Sequence, residues 1–189
     1  MVTVEVADTG HVDGICRVGT ASWRDAYSDV LPADYVEANV SGRYDADRIV
    51  GQIDGTGDTG GIGQWLVALD RDPDESDAGS PGADSAGPSE SVVGTVRDDR
   101  PEPGVGEVSG LYVHPDWQGA GVGSRLLSAL TERQREDGVV EQHTYAFADN
   151  DAAIGFYESK GFEAGERSAA ATVGGVDPDC EVVRLVRSL

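Results

Sequence analysis

Apolar and polar positions along this chain change period several times, and each change marks an element. The opening stretch "TVEVA" alternates at a period of two and predicts a short strand. From Val12 the positions Val12, Ile15, Cys16, Gly19, Trp23, Ala26, Tyr27 and Val30 recur at helical spacing until Pro32 stops the pattern. A second helical stretch runs from about Ala33 to Val40. "QWLVALD" and "SVVGTVRD" read as the two strands of one hairpin, followed by a third strand, "GEVSGLYVHP". Val122, Leu126, Leu127 and Leu130 then lay one apolar stripe on a helix reaching about Asp137 and ended by Gly138. "VVEQHTYAFA" is the next strand, "DNDAAIGFYESKGF" a short helix capped by Asp149 or Asn150, and two closing strands follow. The order βααβββαβαββ pairs an early hairpin with a late alternation of strands and helices. That combination predicts an α/β chain with a mixed sheet and helices on both faces.

The segment between the hairpin strands, about residues 71–90, is rich in Asp, Ser, Gly and Pro and has no period. It cannot bury enough apolar surface to offset its ordering entropy, so it is expected to be a disordered, solvated hairpin loop. The chain on either side is too short for two cores, so residues 1–189 are expected to form one domain. The formal net charge is -21, and Lys160 is the only lysine. Such a surface repels nucleic acid and anionic lipid, and it fits a protein kept soluble by hydrated carboxylates in concentrated salt. No stretch approaches the roughly 18 uninterrupted apolar residues of a membrane span. The start has no basic region followed by a long apolar run, which reads as a cytoplasmic protein. Cys16 and Cys180 stand far apart, as do His11, His114 and His143. Reduced, buried thiols and no metal site are therefore expected.

The chemistry centres on "HPDWQGAGVGSRLL". A Walker loop needs a lysine after its last glycine, and none lies near Gly119 to Ser124. A dinucleotide fingerprint needs its glycines directly after a strand, but Pro115, Asp116, Trp117 and Gln118 intervene, although Glu141 falls about where a ribose-binding acid would sit and keeps that reading open. A third pattern, Gln118-x-x-Gly121-x-Gly123, turns successive backbone N–H groups inward at a helix N-terminus, where the macrodipole favours an anion such as a pyrophosphate. Taken alone it is also compatible with a plain tight turn.

A second motif sits one strand later. "GEVSGLYVHPDWQGAGVGSRLLSAL" resembles the central strand, Q/R-x-x-G-x-G/A loop and helix of the GNAT superfamily of acetyl-coenzyme A dependent N-acetyltransferases. "NDAAIGFYESKGF" resembles its later Asn-x-x-A-x-x-F-Y-x-x-x-G-F helix, and "SWRDAYSDVLP" resembles its first helix. The resemblance implies a mixed, mostly antiparallel sheet flanked by helices and splayed at the central strand. It implies acetyl-CoA as cosubstrate, with no metal, and direct transfer to a primary amine, of a small molecule or a peptide, in a ternary complex. Gln118, Gly119, Ala120, Gly121, Val122, Gly123 and Ser124 would cradle the pyrophosphate. Backbone groups of Leu111, Tyr112 and Val113 would pair with pantetheine and polarise the acetyl carbonyl.

Tyr157 matches the tyrosine that faces the sulfur as general acid; the alternative is an aromatic packing residue beside Phe156 and Phe162. Asn150 matches a pantetheine-binding position and is also a helix cap. Glu107 lies where some relatives carry a general base, and one more glutamate among 35 acidic residues is also compatible with a surface acid. Arg125 and Lys160 are basic residues that could offset repulsion of an anionic cofactor. Trp23 reads as core, while Tyr27 could line the amine pocket. The chain would be a monomer, or a homodimer through its closing strands. A catalytically silent acyl-CoA-binding or sensing module is the alternative, and Tyr157 argues against it.

Overall fold

The computed structural model describes residues 1–56, 63–71 and 91–189. Their elements run β1 (Val2–Val6), α1 (Val12–Tyr27), α2 (Ala33–Arg43), α3 (Ala46–Ile53), β2 (Gln64–Asp70), β3 (Ser91–Glu102) and β4 (Val105–Val113). They continue through α4 (Val122–Glu136), β5 (Glu141–Phe147), α5 (Asp151–Glu158), β6 (Glu163–Ala169) and β7 (Glu181–Ser188). The strands form one seven-stranded sheet in the order β1-β2-β3-β4-β5-β7-β6. Every neighbouring pair is antiparallel except β4 and β5. The mixed, mostly antiparallel sheet expected from the sequence is therefore present. Apart from Arg71, the acidic segment at about 71–90 lies outside the described residues.

Helices cover both faces because the central strands are apolar on both. In β2, Trp65, Val67 and Leu69 point into a core with Ile15, Val18 and Trp23 of α1 and with residues of α2 and α3. The alternate residues Leu66 and Ala68 point into a second core with Leu126, Leu127 and Leu130 of α4. Each fully buried aliphatic side chain contributes roughly 1.5–3 kcal/mol of transfer free energy, so the two cores clamp the sheet from opposite sides.

Three expectations need correction. The chain contains a further helix, α3, whose N-cap Asp45 accepts from the Arg48 backbone N–H. Its eight residues span barely two turns, too few for a periodic signal, and packing of Ile49 and Gln52 secures it. The first helix ends at Tyr27, and Val30, counted above as part of its stripe, is 67% exposed in the turn before α2. Cys16 and Cys180 are both free, and each is half-buried rather than fully buried.

The feature that positions the site is the junction of β4 and β5. Their ladder holds for Val105↔Glu141, Gly106↔Gln142 and Glu107↔His143 and then stops. At the next residue the Val108 carbonyl accepts from the Thr144 hydroxyl at 2.8 Å. Further on, the Val113 carbonyl accepts from Ser22 of α1 at 2.9 Å. Between these points the β3–β4 register shifts, with Gly110 at φ 57°, so β4 bulges where it parts from β5. Full pairing of β5 with β7 draws β5 to the other side of the gap.

Candidate active site

The gap between β4 and β5 is a cleft of about 480 Å³. Glu107, Leu111, Tyr112, Val113, Gln118, Tyr27, Asn150 and Tyr157, all singled out from the sequence, line it together. Gly119 to Ser124 continue from Gln118 as the loop that enters α4.

That loop is built to leave donors free. Gly119 and Gly121 take φ of 75° and 79°, which only glycine adopts without strain. Gly121 is the N-cap of α4 and offers no side chain to the first N–H groups of the helix. The first turns of α1, α2, α3 and α5 carry Asp13, Asp34, Asp47 and Asp151, the usual complement to the helix dipole, whereas the first turn of α4 carries no acid. In a chain this acidic, that leaves the positive end of α4 uncompensated. Val122 enters the turn through its backbone, since its side chain is 1% exposed in the α4 core.

Tyr157 lies between Phe156 and Phe162, with ring centroids 5.1 and 5.2 Å away, so the packing reading of this residue is correct as far as the ring goes. The same residue lines the cleft. Burial pushes its hydroxyl up to about 12, opposed by a hydrogen bond with Thr144, so it stays protonated through the neutral range. Asn150 does two things at once. Its Oδ1 accepts from the Ala153 backbone N–H at 3.0 Å, capping α5, and its Nδ2 donates to the Tyr27 hydroxyl at 3.0 Å. Tyr27 is itself core, packed on Trp23 at 4.8 Å and Phe147 at 5.0 Å, and burial holds its hydroxyl well above the ordinary tyrosine value.

Glu107 has partners that sequence reading missed. His143 Nε2 lies 3.4 Å from its Oε2, and Ser109 Oγ donates to its Oε1 at 2.9 Å. Led by His143, and against the opposing effect of burial, these interactions hold the carboxyl below the usual range, so it is ionised at neutral pH. His143 looked scattered in sequence because only the β4–β5 register makes it the neighbour of Glu107. Arg43, which also lines the cleft, was missed for the same kind of reason. Arg125 reaches only the Val2 carbonyl at 3.5 Å, and Lys160 lies 5.7 Å over the Phe156 ring. Among the described residues no group of three His, Cys, Asp or Glu side chains comes together as metal ligands.

The fold as a whole has clear counterparts among solved structures. The PaiA N-acetyltransferase of Thermoplasma acidophilum in complex with coenzyme A superposes with a TM-score of 0.70 at 16% identity, over 97% of this chain and 98% of that one. A probable acetyltransferase of Staphylococcus epidermidis gives 0.71 at 12% identity, over 100% and 99%. This is the GNAT fold. Residues 83–164 also match the family described as acetyltransferase (GNAT) domain. The N-alpha-acetyltransferase RimI of Mycobacterium tuberculosis is 39% identical over 97 residues, 51% of this chain and 60% of that one. The mycothiol acetyltransferase of Nocardiopsis dassonvillei is 45% identical over 58 residues, 31% of this chain and 18% of that one. The match therefore spans only about a fifth of that mycothiol acetyltransferase. No described helix is long and apolar enough to cross a membrane.

Proposed function

We propose that this protein is an N-acetyltransferase that moves an acetyl group from acetyl-CoA to a primary amine by direct transfer in a ternary complex. The observation that carries this reading is the coincidence of the open β4 edge, the acid-free start of α4 and the buried Tyr157 hydroxyl around one cleft. The N–H groups of Gly119 and of Gly121 to Ser124 suit a pyrophosphate, while that of Ala120 donates to the Trp117 carbonyl at 3.4 Å. The backbone of Leu111 to Val113 suits an extended pantetheine arm, and its N–H groups suit the carbonyl oxygen as it gains charge. Asn150, with one amide hydrogen committed to Tyr27, has a second for the same arm.

The thioester supplies an activated acetyl group. Glu107, already ionised, accepts a proton from the incoming ammonium, directly or through water, and so delivers a neutral amine. His143 and Ser109 fix its carboxylate in place. Tyr157 keeps its proton until charge develops on the departing sulfur, and it then acts as hydrogen-bond donor and proton source. The acidic surface and the cytoplasmic setting belong to the same proposal: a salt-rich interior screens a net charge of -21 and lets an anionic cosubstrate approach.

The test is mass detection of acetylated product after incubation with acetyl-CoA and a panel of small amines, drug-like amines and peptides. Product with at least one class is expected. Tight binding of acetyl-CoA with no turnover anywhere in the panel would replace this reading with that of a sensing module.

A further inference from the structure

The cleft is not the only cavity that reaches Glu107. A second cavity, of about 390 Å³, is lined by Arg43, Arg48, Arg97 and Arg100 together with Asp99 and Glu107. Four arginines against two carboxylates inverts the character of a chain in which 35 acids face 14 bases. Two of the four are committed. Arg97 pairs with Asp99 at 2.6 Å, which also relieves the opposition of Asp99 and Glu107 as cross-strand neighbours. Arg100 pairs with Asp98 and Asp137. The other two form no ion pair among the described residues. Arg43 donates to Asn39 Oδ1 at 3.1 Å and lies 5.8 Å over the Trp23 ring, while Arg48 donates to the Gly42 carbonyl at 3.1 Å. Both contacts orient a guanidinium without neutralising it. Arg43, Glu107 and Ser109 line both cavities, so the two meet at the carboxylate.

We propose that the arginine cavity binds an anionic group, carboxylate or phosphate, on the acceptor, and so selects amines that carry one. The inference rests on the acetyltransferase reading and names the substrate class of that site. Arginine's planar fork fits both anions. With the anion held by Arg43 and Arg48, the acceptor's ammonium lies on the Glu107 side and gives up a proton to that carboxylate. The neutral nitrogen then forms the new C–N bond as the C–S bond breaks. The thiolate takes the nitrogen's surplus proton by way of Tyr157, and Glu107 returns its own proton to solvent. An amine without the anion is held only by its ammonium charge, which it loses on giving its proton to Glu107.

Paired acceptors test this: phosphoethanolamine against ethanolamine and glycine against glycinamide, with kcat/KM expressed per neutral amine, in KCl that keeps the protein folded. At least one anionic member is expected to exceed its neutral partner by about ten- to a hundredfold, the range for a hydrogen bond to a charged group. Which pair shows the larger ratio separates phosphate from carboxylate. Arg48→Gln should bring the ratio towards one and Arg48→Lys should restore part of it, with acetyl-CoA affinity unchanged as the control on folding. Ratios near one in the wild type, or ratios that survive both Arg43→Gln and Arg48→Gln, would overturn the proposal. If no acceptor is acetylated, the acetyltransferase reading fails first. Calorimetry of phosphoethanolamine and glycine with the coenzyme A-loaded protein then decides the cavity: binding lost in Arg48→Gln sustains it, and no binding by either probe overturns it.

Discussion

The β4–β5 pair is two structures in one. Below Val108 it is closed by a parallel ladder and by a buried polar network directly underneath. There Asp98 accepts from Gln134 at 2.6 Å and from Arg100 at 2.8 and 2.6 Å, Gln134 accepts from Gln142 at 2.6 Å, and Gln142 accepts from Arg187 at 2.8 Å. Gly106 is glycine because a Cβ there would lie 2.5 Å from the Gln134 side chain. Above Val108 the same strands are held apart, and side-chain hydroxyls from Thr144 and Ser22 close off the carbonyls at the two ends of the gap. On the proposed function, the closed half supplies rigidity and the open half supplies unpaired backbone for a ligand. Substitutions in the lower half should therefore register as stability and those in the upper half as chemistry.

The largest effect is expected at the base. Asp98→Ala leaves Gln134 without its acceptor and Arg100 with Asp137 alone, and should cost roughly 3–5 kcal/mol in denaturant unfolding, as when one partner of a buried charged pair is removed. A loss below 1 kcal/mol would mean that the network does not hold the junction. In the open half, Tyr157→Phe should reduce kcat on the order of 10²-fold with the melting temperature nearly unchanged, as measured by steady-state kinetics and thermal melts. Glu107 sits on the boundary and should show both signatures at smaller size. The ratio of wild-type to Glu107→Gln rates should grow as pH falls below the acceptor's pKa, since a charged amine needs the base. Because the folded state holds Glu107 below its unfolded value, its contribution to stability is present above the ordinary carboxylate pKa and is lost as pH falls through the depressed one. An identical pH–rate profile for both proteins would remove Glu107 from the mechanism. The least local effect is that of salt. Molar KCl shortens the screening length from roughly 30 Å at 0.01 M to about 3 Å, and the melting temperature should rise across that range. A flat or falling melting temperature would assign the acidity to a partner instead.

The contrast between the halves also marks how far sequence reading reaches. The sheet's strands and the helices on both faces were legible because β2 is a short continuous apolar run and α4 carries apolar positions at helical spacing. The glycine loop, Tyr157 and Asn150 were legible because each lies in a contiguous motif. His143, Ser109, Thr144, Arg43 and Arg48 were not, since their relation to the site depends on strand register and on how α2 and α3 pack against α1. The short helix α3 fell below the length at which a period can be recognised, although its Asp45 cap was there to be read.

Calorimetric titration of acetyl-CoA tests most directly whether the open half is a binding site. Wild type, Gly121→Ala and Gly121→Glu all need comparison, since both variants strain a residue at φ 79° and only the second puts a negative charge at the start of α4. Binding is expected in the wild type, with a modest weakening in Gly121→Ala. In Gly121→Glu, shown folded by its melt, binding should be lost. Wild-type affinity in folded Gly121→Glu would contradict an anion site at this loop and, with it, the acetyl-CoA cleft.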